Sequence, residues 1–146
     1  MHPDLSAGCL LCFDDEQTIA HAVAAAAGLT LAVIQRHRFP DGELRLRLPE
    51  SLPSRVVFWR GLHQPNEKLV EILLVARTAH QLGAVHLTLV APYLAYMRQD
   101  IAFNPGEAVS QRVIGRFLAG LFDAVITVDP HLHRVATLNE AIPVKD

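Results

Sequence analysis

The chain has 146 residues, 51% hydrophobic and 19% charged, with a formal net charge of −2. That length bounds one domain with a sizeable core, and the near-neutral charge argues against nucleic acid as the main partner, because phosphate-backbone binding needs a basic face. No apolar run reaches the roughly 20 residues of a membrane-spanning helix and no basic-then-apolar leader opens the chain, so a cytoplasmic protein with no membrane partner is expected.

Residues 8–13 read as a first apolar strand holding Cys9 and Cys12. Strand residues three apart point to opposite faces, so two separate core thiols are expected rather than a metal site or a redox pair. The alanine-rich residues 16–27 predict a helix that ends at Gly28, which can take the left-handed conformation of a helix terminator. Residues 29–34 are a second strand. Leu44-Arg45-Leu46-Arg47-Leu48 then alternates strictly, after the turn Pro40-Asp41-Gly42. Residues 36–48 are therefore read as a β-hairpin, partly solvated, with Arg45 and Arg47 on its wet face.

Residues 55–60 form a further strand, with Val56, Val57, Phe58 and Trp59 as its buried bulk. A helix follows over residues 66–82, with Asn66 as N-cap and Leu69, Ile72, Leu73, Ala76, Ala79 and Leu82 at helical spacing. The apolar strand of residues 85–91 breaks at Pro92 into a loop carrying Tyr93, Tyr96, Arg98, Gln99 and Asp100. Next come a helix over residues 107–122 and a last strand over residues 123–128, which runs into Asp129-Pro130-His131-Leu132-His133. This alternation predicts an α/β fold: a doubly wound, mostly parallel sheet with the hairpin as a flag. Residues 141–146 read as the start of another element, so a domain cut from a longer protein is expected.

In such a sheet, ligands bind outside the carboxyl ends of the strands. Arg98 brings a planar fork for phosphate or base stacking, Gln99 an amide for an adenine edge, and Asp100 a carboxylate for a cation or hydroxyl. A nucleotide is the most economical ligand. A polar loop with an exposed Arg98–Asp100 pair is the alternative. Asp129, His131 and His133 leave another strand end and suit a divalent cation or phosphate oxygens, or else form only a histidine-rich turn capped by Asp129. A magnesium ion there would draw most of its ligands from phosphate and water, because imidazole is atypical for a hard cation. Phe39, Asp41 and Glu43 occupy the hairpin tip, where turn chemistry alone explains Pro40, Asp41 and Gly42. The sequence has no G-x-x-x-x-G-K-[ST], no G-x-G-x-x-G after the first strand and no G-x-S-x-G. P-loop kinases, Rossmann dinucleotide folds and α/β-hydrolases are thereby excluded.

Five segments taken in order, FPDGE (residues 39–43), NEKLVEILL (66–74), APYLAYMRQD (91–100), NPGEAVS (104–110) and TVDPHLH (127–133), resemble those of ribose-phosphate diphosphokinase, also called phosphoribosyl pyrophosphate (PRPP) synthetase. The resemblance is to the N-terminal, ATP-side member of that family's two phosphoribosyltransferase-like domains. It implies transfer of the β,γ-diphosphoryl group of magnesium-ATP to the C1 hydroxyl of ribose 5-phosphate, giving PRPP and AMP. By the resemblance, Arg98 and Gln99 bind ATP with Asp100 beside them. Phe39, Asp41 and Glu43 would meet the adenine of a neighbouring subunit, which implies a homo-oligomer formed through the hairpin. His131 would lie at the magnesium–triphosphate cluster, and no role is assigned to His133. Two departures stand out. Ile101-Ala102-Phe103 follows where many members carry basic residues, and the C-terminal domain with the ribose 5-phosphate loop and the flexible catalytic loop is absent from this sequence. The expectation is a domain that binds nucleotide without turnover and holds no catalytic residue of its own. A non-catalytic regulatory or assembly subunit is the alternative.

Overall fold

Strands and helices alternate through the computed structural model, which describes residues 7–145. The strands are β1 (Cys9–Cys12), β2 (Thr30–Val33), β3 (Gln35–Arg38), β4 (Leu44–Arg47), β5 (Arg55–Trp59), β6 (His86–Ala91) and β7 (Ala124–Thr127). The helices are α1 (Gln17–Ala27), α2 (Pro65–Gln81), α3 (Ser110–Ala119) and the single turn α4 (Leu138–Ala141). Five strands form one parallel sheet in the order β2-β1-β5-β6-β7, and β3 pairs with β4 as a separate antiparallel hairpin. The α/β architecture and its flag are as the sequence predicts. The chain winds outward in one direction after β1 and in the other after β5, so the sheet's switch point lies between the carboxyl ends of these two strands.

The apolar strand sequences are buried from both sides, as a parallel sheet requires. On one face Cys9, Leu11, Phe13, Val56, Phe58, Leu87 and Leu89 share a core with Ile72, Val75, Ala76 and Ala79 of α2 and Leu118 of α3. On the other, Leu10, Cys12 and Trp59 pack with Ala20 and Ala24 of α1. The two cysteines are therefore buried, free and on opposite faces, as expected. Burial, reinforced by the carboxylates of Glu16, Asp15 and Asp14, pushes the Cys12 thiol up to about 11, which removes thiolate chemistry near neutral pH. The α1 layer covers less of the β6–β7 side, where Ile126 is 56% and Val128 70% exposed.

Three local readings change. Helix α3 starts at Ser110 rather than at Glu107, because the Glu107 carboxylate instead accepts the Phe103 N–H (3.0 Å), the Asn104 amide (2.5 Å) and the Gln99 amide (3.1 Å). Those bonds tie off a loop and leave nothing to cap a first turn there. Helix α2 begins with Pro65 after a left-handed Gln64, so Asn66 lies inside the helix and is not its N-cap. Its side-chain oxygen accepts the Tyr96 hydroxyl across the groove. Residues 14–16 form a 3-10 turn ahead of α1. Gly28 and Gly115 are among the glycines the backbone requires. Gly28 ends α1 at φ +69°, as read from the sequence. A Cβ on Gly115 would overlap the Ala141 carbonyl oxygen, so its absence lets α4 rest directly on α3.

Candidate functional site

The loops that follow β5, β6 and β7 close around a pocket of about 460 Å³ whose lining includes Pro65, Asn66, Tyr96, Arg98, Gln99 and His131. Each element contributes for a local reason. Pro92 stops β6 and frees the chain to cross the strand ends. Leu94, Ala95 and Met97 then sink into the core, which turns Tyr96 and Arg98 outward. Pro65 at the first position of α2 points that helix's amino end at the same space, where its dipole favours an anion. Among the described residues four non-glycine residues have positive φ: Gln64 (50°), Tyr96 (62°), Asp129 (47°) and His131 (52°). All four line the pocket or adjoin a residue that does. Such conformations cost about 1–3 kcal/mol each and concentrate where a site is shaped.

Of the sequence-derived candidates, Arg98, Gln99 and His131 come together at this pocket although they leave different strands. Arg98 is exposed, and its guanidinium has no partner among the described residues. The Gln99 amide nitrogen donates to the Ile101 carbonyl (3.0 Å) as well as to Glu107. His131 lies open at the rim, with Nδ1 3.9 Å from Asp129 Oδ1. The other candidates stand apart. Asp100 faces inward, its side chain fully buried, and pairs with Arg134 rather than Arg98. Burial pushes the Asp100 carboxyl up, but the Arg134 hydrogen bond and charge outweigh it and hold the group below the usual carboxylate range. Phe39, Asp41 and Glu43 sit exposed on the hairpin tip and do not line the pocket. Asp41 Oδ1 caps that turn by accepting the Glu43 N–H (3.1 Å), and Phe39 packs edge-on against His37 (5.0 Å).

The donor set fits magnesium in one way only. Among the described residues no group of three histidine, cysteine, aspartate or glutamate side chains is placed to hold a metal ion by itself. A magnesium ion here would have to take most of its ligands from outside the protein.

Glu107 gives the loop a pH dependence. The Asn104 hydrogen bond, followed by the Phe103 N–H, holds its carboxyl below the ordinary glutamate value. A lowered folded-state pKa gives stability that is present above the unfolded value of about 4.3 and lost as pH falls through the folded one. The Phe103 amide is therefore expected to stay protected from exchange at pH 6 and to lose protection below about pH 4. Glu107→Gln should flatten that pH profile. A wild-type profile that is already flat would contradict it.

Sequence reasoning missed a second cluster, which fills the sheet's switch point. Arg60, 1% exposed, follows β5 and donates to Asp15 (2.9 Å), Glu16 (2.9 Å) and, through two bonds, Glu71 of α2 (2.9 and 3.0 Å). Arg36, at the base of the hairpin, reaches the same Glu71 (2.8 Å) and Asp14 (3.2 Å). Both guanidinium groups lie 4.7 Å from the centre of the Phe13 ring. Glu16 also accepts the Trp59 indole (3.1 Å) and the Gly61 N–H (3.2 Å). For Asp15, burial raises the carboxyl and the Arg60 hydrogen bond and charge more than reverse the shift. The usual ligand crevice of such a sheet is thus occupied by side chains, and the open pocket lies further along, at the ends of β6 and β7. The one signal in the sequence was charge abutting two buried strands, Asp14-Asp15-Glu16 after the first and Arg60 after the fourth apolar run.

Known proteins bear on this arrangement. Residues 9–121 match the family model described as the N-terminal domain of ribose phosphate pyrophosphokinase. The chain is 41% identical over 109 residues to a ribose-phosphate pyrophosphokinase of Methanopyrus kandleri, covering 74% of this chain and 37% of that protein. It is 34% identical over 122 residues to the one from Halobacterium salinarum, covering 84% and 43%. The crystal structure of phosphoribosylpyrophosphate synthetase from Mycobacterium smegmatis shares the fold, with a TM-score of 0.78 at 21% identity over 94% of this chain and 46% of that one. The chain therefore spans less than half the length of these relatives. Among the described residues no helix is long and apolar enough to cross a membrane. By the match over residues 9–121 and these relatives, the chain belongs to the family of ribose phosphate pyrophosphokinase N-terminal domains.

Proposed function

We propose that this domain is the ATP-side half of a cytoplasmic ribose-phosphate pyrophosphokinase. The whole enzyme would transfer diphosphate from magnesium-ATP to ribose 5-phosphate and release AMP with PRPP. The observation that carries this reading is the convergence of Arg98, Gln99 and His131, from the ends of two strands, on one pocket at the amino end of α2. Arg98 supplies the unpaired cation for the triphosphate or a face for the base, and Gln99 borders the same space. The amino end of α2 adds favourable potential for phosphate. Magnesium, when bound, offsets triphosphate charge; His131, with Asp129 beside it, would hold it together with phosphate and water oxygens.

Asp100 supports the site from behind. The tip residues Phe39, Asp41 and Glu43 would close on the adenine of a second copy, which makes the active form a homo-oligomer. No catalytic step is assigned to the described residues, and the 146-residue chain alone is expected to bind nucleotide without forming PRPP. Calorimetry with magnesium-ATP tests this: heat from wild type that is largely lost in Arg98→Ala is expected, with no PRPP in a product assay. PRPP formation by the isolated chain would overturn the second half. The uncharged, exposed Ile101-Ala102-Phe103 beside the pocket favours the second reading, a non-catalytic assembly subunit. The absence of heat from wild type would select it.

A further inference from the structure

Arg134 lies outside every motif of the sequence, yet it joins two of the loops that make the pocket, those after β6 and β7. Its guanidinium Nη1 donates to Asp100 Oδ1 (2.5 Å), and its backbone N–H donates to Asp100 Oδ2 (3.3 Å). Both oxygens of a fully buried carboxylate are thus committed to one residue 34 positions away. The Arg134 guanidinium also lies 5.6 Å from the centre of the Phe103 ring, on the uncharged segment that follows Asp100. Asp100 directly follows Arg98 and Gln99, and Arg134 follows His131 by three residues. The left-handed conformations of Asp129 and His131 need an external restraint, since the turn's own bond, His131 N–H to Asp129 Oδ1, is long (3.3 Å) and exposed.

We propose that Asp100 and Arg134 form a latch that fixes the His131 turn against the Arg98–Gln99 loop, making both of them positioning residues rather than ligand contacts. The latch rests on the nucleotide reading of the pocket for its purpose, though not for its existence. Electrostatics and latch predict opposite signs for one variant. Asp100→Asn removes a negative charge near a site for phosphate, so charge alone would tighten binding. The latch predicts weaker binding, because a neutral amide holds Arg134 less firmly.

The test has two arms on the full chain. In ligand-free protein, amide exchange at His131 and Arg134 is expected to be at least tenfold faster in Asp100→Asn and Arg134→Ala than in wild type, and largely restored in Arg134→Lys. Calorimetry with magnesium-ATP should give roughly tenfold weaker binding in the first two variants and near wild-type binding in Arg134→Lys. Unchanged exchange in both Asp100→Asn and Arg134→Ala would overturn the latch, as would tighter ATP binding by Asp100→Asn. If wild type binds no ATP, the nucleotide reading fails while the exchange arm still decides the latch. Arg134→Ala, about half exposed at its side chain, keeps the comparison available should Asp100→Asn fail to fold.

Discussion

Arg60→Ala is expected to remove about 3–5 kcal/mol of folding stability, the range for breaking a buried ion pair from one side. The arginine is 1% exposed, and its removal leaves Glu71, itself 1% exposed, with Arg36 as its one remaining ion-pair partner among the described residues and takes from Asp15 and Glu16 their buried partner. Arg36 alone cannot replace it, because Arg36 already serves Glu71 and Asp14 from the hairpin side. Marginal domains hold only about 5–15 kcal/mol in total, so much of the variant should be unfolded under mild denaturant. The hairpin should also lose its fixed angle to the sheet, since Arg36 shares both its carboxylate and its aromatic partner with Arg60. Urea denaturation checks this. A loss below about 1 kcal/mol would mean the cluster is hydrated and behaves like exposed pairs.

The second large effect concerns ligand. Arg98→Ala should weaken magnesium-ATP binding roughly ten- to hundredfold, the loss expected when charge-assisted hydrogen bonds worth about 1.5–3 kcal/mol are removed. Stability should scarcely move, because the Arg98 side chain is exposed and holds no partner among the described residues. Arg77→Ala is the control. Arg77 is also exposed but sits towards the far end of α2, so its loss should leave binding unchanged. A fall in binding for both variants alike would point to net charge, not to a site.

Much of this was legible in the sequence where the signal is local. Apolar strands separated by helical spacing fix an α/β fold, and Leu44-Arg45-Leu46-Arg47 can only be a half-wet strand. Pro92 and Pro130 mark the places where strands give way to loops, so Arg98, Gln99 and His131 could be placed at strand ends from the sequence, and all three line the pocket. What stayed hidden depends on partners far apart in the chain. Arg60 meets Asp15 across 45 positions and Asp100 meets Arg134 across 34, and no periodicity encodes either pairing. The start of α3 was missed for a related reason. Pro105-Gly106 followed by Glu107 has the look of a helix start, yet the carboxylate is spent on Phe103, Asn104 and Gln99. The pocket lies at the two strand ends read from the sequence, and not at the switch point. The switch point between β1 and β5 is filled by the Arg60 cluster, and the pocket opens two strands along the sheet.

The most direct test of a nucleotide site at the ends of β6 and β7 is an amide NMR titration of the 146-residue chain with magnesium-ATP. The largest shifts should fall on residues 64–66, 93–99 and 129–131, with small changes around Arg60, Asp15 and Glu71. Shifts centred instead on the β1–β5 switch point, or none at saturating ligand, would contradict it.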